Sequence, residues 1–196
     1  MTTLAREAMI VAIDFESTGS VPGYPDEPWQ LGLAVLRQGE IAPAESREWL
    51  LKVSAERPFN PNAPGSWRAV RDRLSDASTL PDLWPHLKDR LAGYPLIAHN
   101  AATEKKFLRQ AWPLHRPGPW IDTLTLVRLA LPGLTDYRLE QVVRAAGLED
   151  LVRQLAPGRA PHDALYDAVA CAAILSYLLK QPGWERVTVE ELTRAS

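Results

Sequence analysis

The sequence predicts an α/β domain, one mixed sheet flanked by helices. Two observations carry that reading. The first third of the chain consists of short apolar runs, rich in β-branched residues and bounded by turn residues, as strands are. From Trp67 onward, helical periodicities alternate with strand-length apolar segments, the order expected of helices packed on a sheet.

Residues 9–15 (MIVAIDF) read as a buried strand whose end delivers Asp14. After the Pro/Gly loop VPGYPDEP, residues 29–53 split at Gln38-Gly39 into the two strands of a hairpin. Residues 54–66 (SAERPFNPNAPGS) hold too much Pro and Asn for regular structure and read as a surface loop inside the domain. Trp67, Val70, Arg71 and Leu74 then recur at helical spacing, and Leu83, Leu87 and Leu91 mark one face of a second helix. Tyr94–Ala98 is a short strand leading into His99-Asn100 and the helix AATEKKFLRQAW. Trp120-Ile121 is another brief strand. Asp122 or Thr123 caps the helix TLTLVRLAL, which Pro132-Gly133 ends. YRLEQVVRAAGL is a helix closed by Gly147, and residues 163–180, apolar on two faces, pack against the sheet. The chain therefore reads as one domain over 1–196, with a core from about 8 to 180 and a short tail, GWERVTVEELTRAS.

Composition narrows the function. At 46% hydrophobic and 23% charged the chain is an ordinary globular protein. No apolar run approaches the ~20 residues of a membrane span, and the N-terminal segment meets an acid too soon for a signal peptide. A single cysteine, Cys171, precludes an internal disulfide, fits a reducing cytoplasm and reads as buried and structural. A net charge of −2 argues against coating duplex DNA, but not against gripping the last nucleotides of a strand.

Three stretches far apart in sequence bring acids and a histidine. They are Asp14 and Glu16 in IVAIDFESTG, Glu104 in LIAHNAATEKKFL, and His162 with Asp167 in PHDALYDAVA. Two apart on a strand, Asp14 and Glu16 point to one face, although such a pair is also common as a plain polar strand end. Glu104, in the first turn of a helix starting near Ala101, can project back toward that strand end; the helix dipole would favour it there in any case. With a helix beginning at Asp163, His162 lies on the preceding loop and Asp167 one turn inside, while Asp163 is explained by the helix terminus alone. Hard divalent cations choose oxygen ligands, and a nearby imidazole can take a proton from an attacking water. The set is what a two-metal phosphodiesterase needs. No P-loop, dinucleotide fingerprint or zinc-type cluster competes with it.

In order and surroundings these residues resemble the DEDD superfamily of 3′–5′ exonucleases, in its DEDDh branch. That superfamily includes the proofreading subunit of bacterial replicative polymerase, ribonuclease T and oligoribonuclease. Ser17-Thr18-Gly19 is similar to a Thr-Thr-Gly in the family, His99-Asn100-Ala101 matches its second motif, and His162 with Asp167 its third. Glu104 stands where the family has Asp. The resemblance implies a ribonuclease H-like fold and hydrolysis of the terminal phosphodiester bond at a single-stranded DNA or RNA 3′ end, releasing nucleoside monophosphates. It also implies two divalent cations, Mg²⁺ or Mn²⁺. Asp14 would bridge them, Glu16 and Asp167 would complete the water-activating site, Glu104 would help the second cation, and His162 would be the general base.

On the substrate side, Ser17 and Thr18 are expected to hold the terminal nucleotide. Phe15 or Trp67 could stack on bases. Asn100 is a further candidate, though it more simply orients its turn. Related ribonucleases make a homodimer possible, and no segment identifies a polymerase partner. The alternative is a catalytically impaired nucleic-acid-binding or polymerase-associated module, with Glu104 as its symptom.

Overall fold

The computed structural model describes residues 3–196. Its strands are β1 (Ile10–Ser17), β2 (Pro28–Arg37), β3 (Glu40–Ile41), β4 (Arg47–Leu50), β5 (Ala92–Ala98) and β6 (Gly118–Asp122). Its helices are α1 (Trp67–Val70), α2 (Trp84–Leu91), α3 (Ala102–Ala111), α4 (Thr123–Ala130), α5 (Leu139–Ala145), α6 (Glu149–Leu155), α7 (Ala164–Leu178) and α8 (Val189–Arg194). The six strands form one sheet in the order β3-β2-β1-β5-β6, with β4 also paired to β2. β1 runs antiparallel to β2 and parallel to β5, and β5 runs parallel to β6.

β1 is buried on both faces, as its unbroken apolar run implies. Ile10 and Ala12 face a core shared with α4 to α7, whereas Val11, Ile13 and Phe15 face Leu87, Leu91, Phe107 and Leu108 of α2 and α3. The same alternation carries Asp14 and Glu16 out on the α7 side at the strand's end. The hairpin turns at Gln38-Gly39 as expected, both residues having positive φ (53° and 74°). Its second strand is not continuous, however. Pro43 opens a 3-10 turn over Pro43–Glu45, and what remains is β3 and β4. The helix expected from Trp67 is likewise only one α-turn, followed by a 3-10 turn over Arg71–Arg73.

α7 decides where the site forms. Its small residues, Ala168, Ala170, Ala172 and Ala173, are fully buried and let the helix lie close on the sheet. The approach is tightest at Gly32, which lies opposite Asp14 in the β1–β2 register. A Cβ there would stand 1.9 Å from the Ala164 carbonyl oxygen, so only glycine lets the start of α7 reach β2.

The tail belongs to the fold more closely than the sequence suggested. Thr188 and Glu191 form a capping box for α8. The Val189 N–H donates to the Thr3 carbonyl at 3.0 Å, and the Ser196 hydroxyl accepts the Asp122 N–H at 2.8 Å, at the outer edge of β6. α6 was not foreseen; it is short and lacks a side-chain cap. Cys171 is buried, within 3.3 Å of the Thr123 hydroxyl, and burial pushes its thiol up. No helix among the described residues is long and apolar enough to cross a membrane.

A candidate metal centre at the end of the central strand

The C-terminal end of β1, the first turn of α3 and the loop before α7 meet at one place. Ligand atoms of Glu16, His162 and Asp167 all lie within 4.8 Å of one another. Glu16 and Asp167 are buried, whereas His162 is exposed on its loop. Asp14 and Glu104 are not part of that tightest group but adjoin it. Burial, followed by the charges of Asp167, Glu104 and Glu16, pushes the Asp14 carboxyl well above the usual carboxylate range. Glu16 is pushed up to about 8, by burial first and then by Asp167, Asp163 and Glu104.

Asp167 rises to about 7 because it is buried, although the His162 N–H donates to its Oδ2 at 3.0 Å and favours the charged form. Glu104 also rises to about 7, chiefly through burial, partly offset by the Glu104 and Phe15 N–H groups. Its Oε2 is buried with no hydrogen-bond partner among the described residues. So Glu104 is not surface charge. A buried, orphaned carboxylate oxygen beside three mutually repelling acids fits the donor set of a hard divalent cation.

The backbone is forced at two of the three motifs. Among the described non-glycine residues, positive φ occurs at Gln38, Asn100 (66°) and His162 (65°). Asn100 is exposed, and it is its backbone N–H, with that of Ala101, that binds the Asp122 carboxylate at 2.9 and 3.1 Å. Asp122 also caps α4 through the Leu124 N–H at 2.9 Å, so it ties the second motif to β6. His99 serves the same scaffold. Its Nε2 donates to the Tyr137 carbonyl (2.7 Å), leaving Nδ1 to accept from the Thr123 hydroxyl (3.0 Å), and burial lowers its pKa.

Behind the acids stands a second polar cluster that the sequence did not reveal. Asp163 caps α7 by accepting the Leu165 and Tyr166 N–H groups at 3.1 and 3.3 Å. Its other oxygen accepts from Arg159 at 2.8 Å and from Gln30 at 3.2 Å. Arg159 also makes a two-pronged pair with Glu48, each contact 2.5 Å, and the buried Gln30 accepts the Ala164 N–H at 3.2 Å. A lone amide in the apolar run of β2 was the available signal. From the other side the 54–66 loop closes on the acids. A Cβ at Gly65, whose φ is 87°, would lie 2.8 Å from the His162 carbonyl and 3.3 Å from Glu16 Oε2.

Three residues expected on the substrate side are placed otherwise. Phe15 lies on the opposite face of β1 from the acids, buried edge-on against Phe107 with ring centres 5.5 Å apart, and is not free to stack on a base. The Thr18 hydroxyl is fully buried and spent on Arg57 (2.9 Å), the Glu27 N–H (3.1 Å) and Asp26 (3.3 Å). Trp67 is stacked on Phe59 with ring centres 4.6 Å apart. Ser17 remains half-exposed, 3.2 Å from Asp26.

A model of the RNase_T exonuclease family matches residues 11–175, most of the chain and all three motifs. The chain belongs to this exonuclease family. Curated relatives include the 3′-5′ exonuclease DinG of Staphylococcus saprophyticus, 26% identical over 140 residues, which span 69% of this chain and 15% of that protein. Another is a PolC-type DNA polymerase III of Bacillus subtilis, 27% identical over 182 residues, 90% of this chain and 12% of that protein. The chain thus spans a small part of the relatives it matches.

Among solved structures, exonuclease X in complex with 5′ overhanging duplex DNA is similar with a TM-score of 0.72 at 27% identity, over 95% of this chain and 98% of that one. The nuclease domain of 3′hExo, a DEDDh family member bound to rAMP, shares the fold at a TM-score of 0.68 and 19% identity, over 94% and 97% of the two chains. The resemblance read from the three motifs is borne out, and with it the ribonuclease H-like arrangement of a mixed sheet flanked by helices.

Proposed function

We propose that this exonuclease-family chain removes nucleotides from the 3′ end of single-stranded DNA or RNA. We propose further that it does so with two divalent cations, Mg²⁺ or Mn²⁺, held by Asp14, Glu16, Glu104 and Asp167. The observation that carries this reading is the convergence of Glu16, His162 and Asp167 within 4.8 Å, with the orphaned Glu104 oxygen beside them. Bound there, the cations would sharpen an attacking water and offset charge on the phosphate oxygens.

The chain's own groups supply the rest. His162, exposed beside the acids, would accept the water's proton; one of its ring nitrogens lies within 4.8 Å of Glu16 and Asp167 carboxylate oxygens. The Arg159–Asp163–Glu48 cluster holds that loop against β4 and would act as positioning machinery. The 3′-to-5′ direction follows the name of the Staphylococcus relative. The 5′ overhang bound by exonuclease X leaves a recessed 3′ end, a second substrate form to test.

The test is hydrolysis of end-labelled DNA and RNA strands, single-stranded or recessed, with free or blocked 3′ ends. Monophosphates should appear only from free 3′ ends and only with a divalent cation. His162→Ala should slow turnover by roughly 10²–10⁴-fold while strand binding persists. Activity in excess chelator, or equal cleavage of blocked ends, would sink the proposal. A chain that binds strands but stays inert with every cation would instead be the binding module that the Glu104 departure allows.

A further inference from the structure

Beside α3 and the loop that follows it lies a cavity of about 300 Å³ lined by Lys105, Arg109, His115, Arg116 and Trp120, together with Leu108 and Pro117. Its chemistry is one-sided, since none of the lining residues is a carboxylate. Lys105 and Arg109 are four apart on α3 and share a face, where like charges repel. Arg116 and His115 come from the loop that leaves α3. Among the described residues Lys105, Arg109 and Arg116 take part in no ion pair, although ten other pairs hold cations elsewhere on the molecule.

In a chain of net charge −2 this is a segregation of positive charge, not the overflow of a basic protein. The pocket is also built. His115 stacks on Trp84 with ring centres 4.1 Å apart, Trp84 leans on Trp112 at 5.0 Å, and the Lys105 ammonium stands 5.6 Å above the Trp120 ring. Aromatic packing therefore holds together cations that gain nothing from one another.

We propose that this pocket binds backbone phosphates of the nucleic-acid strand away from the end being cleaved. The inference rests on the exonuclease reading and deepens it by adding a subsite. Glu104 and Lys105 are successive residues in the first turn of α3, Glu104 turned inward to the metal centre and Lys105 toward the pocket. A strand entering the site can therefore continue along α3 over Arg109 and Arg116. Guanidinium groups suit the two-pronged geometry of phosphate oxygens. Contacts of this kind go to phosphate oxygens and carry no base identity.

The experiment pairs Arg109→Gln/Arg116→Gln with its charge-keeping counterpart, Arg109→Lys/Arg116→Lys. Binding of a strand of about 20 nucleotides, longer than the ~4–16 that one single-strand module covers, is measured in chelator across a range of salt. Hydrolysis of a dinucleotide with Mn²⁺ is measured alongside. The Gln pair should weaken long-strand binding roughly tenfold and flatten the slope of log K against log salt by about 0.7 per lost phosphate contact. Dinucleotide hydrolysis should be unchanged, and the Lys pair should keep the slope. Both positions are exposed. Should the Gln pair nonetheless unfold, Lys105→Gln should remove about 0.7 of the slope by itself.

Unchanged long-strand affinity and slope would overturn the proposal. So would an equal fall in dinucleotide hydrolysis, or loss of inorganic phosphate binding without loss of strand binding. A wild-type chain that binds long strands through these residues but hydrolyses nothing would sink the nuclease reading and leave the pocket standing. One that hydrolyses the dinucleotide while the Gln pair binds strands normally would do the reverse.

Discussion

Two acidic residues four apart at the start of α7, its cap Asp163 and Asp167 inside it, live in opposite circumstances. Asp163 is satisfied: it caps the helix, pairs with Arg159 and takes a hydrogen bond from Gln30. Asp167 has for neighbours Glu16, Asp14 and the His162 ring, and burial holds its carboxyl near 7. The first cluster is an ordinary stabilising device, and the second costs stability unless something positive enters it. A break in local consistency that is compensated close by is what a functional site is expected to show. Gln30, Glu48 and Arg159 hold α7 against β2 directly behind the repelling acids.

The sharpest way to break this comparison is to substitute each acid separately. Asp167→Asn should lower strand hydrolysis by more than ~10³-fold, as loss of one member of a catalytic unit does, and should raise the unfolding temperature in chelator. Asp163→Asn keeps a residue able to cap, so activity should fall by less than ~10-fold while stability drops slightly. If the two variants lost activity equally, the division between working and supporting acids would be wrong.

Glu104→Ala comes next. It should cost roughly 10²-fold in activity, on the scale of removing one preorganised group at a reacting centre. Glu104→Asp should retain activity and narrow the gap between Mn²⁺ and Mg²⁺, since Mg²⁺ tolerates displaced ligands poorly. Wild-type rates in Glu104→Ala with both ions would remove Glu104 from the site. The smallest effect is expected at Arg159→Met. The Arg159–Glu48 pair is about a third exposed (30% and 32%), so its loss should cost only about 1 kcal/mol by chemical denaturation, with activity reduced a few-fold. A null effect on both would show that the second cluster does not hold the first.

The chemistry was more legible than the scaffold. Period-two alternation put Asp14 and Glu16 on one face, and the spacing of His162 and Asp167 around a helix start put both at one end of α7. The same alternation, followed through, places Phe15 in the core, so that its burial was already readable. Gly32 was not, because its role appears only when a helix more than a hundred residues later crosses it. Arg159 lies more than a hundred residues from Glu48 and Gln30, and nothing local in the sequence ties it to them. The Thr18 hydroxyl was drawn to substrate by analogy, whereas Arg57, from a loop readable only as irregular, claims it. The tail read as lying outside the core because its contacts, to Thr3 and Asp122, are with residues far from it in sequence.

The most direct test of the metal centre needs no substrate. Glu16, Asp167 and Glu104 have folded-state pKa values of about 8, 7 and 7, above their values near 4 in the unfolded chain. Between those limits the folded protein holds more protons than the unfolded one. Stability in chelator is therefore fullest below pH ~4 for these groups and is lost as pH rises toward 8. The measurement is the unfolding temperature of the wild type and of Asp14→Asn from pH 5 to pH 8, in chelator and in Mn²⁺. The wild type in chelator should lose at least ~3 °C across that range, a shift on the scale of 1 kcal/mol for a chain of this size. Mn²⁺ should restore it at pH 8, and Asp14→Asn should show a smaller loss and little restoration. A wild type whose unfolding temperature at pH 8 is indifferent to Mn²⁺ and Mg²⁺ would contradict the proposed centre.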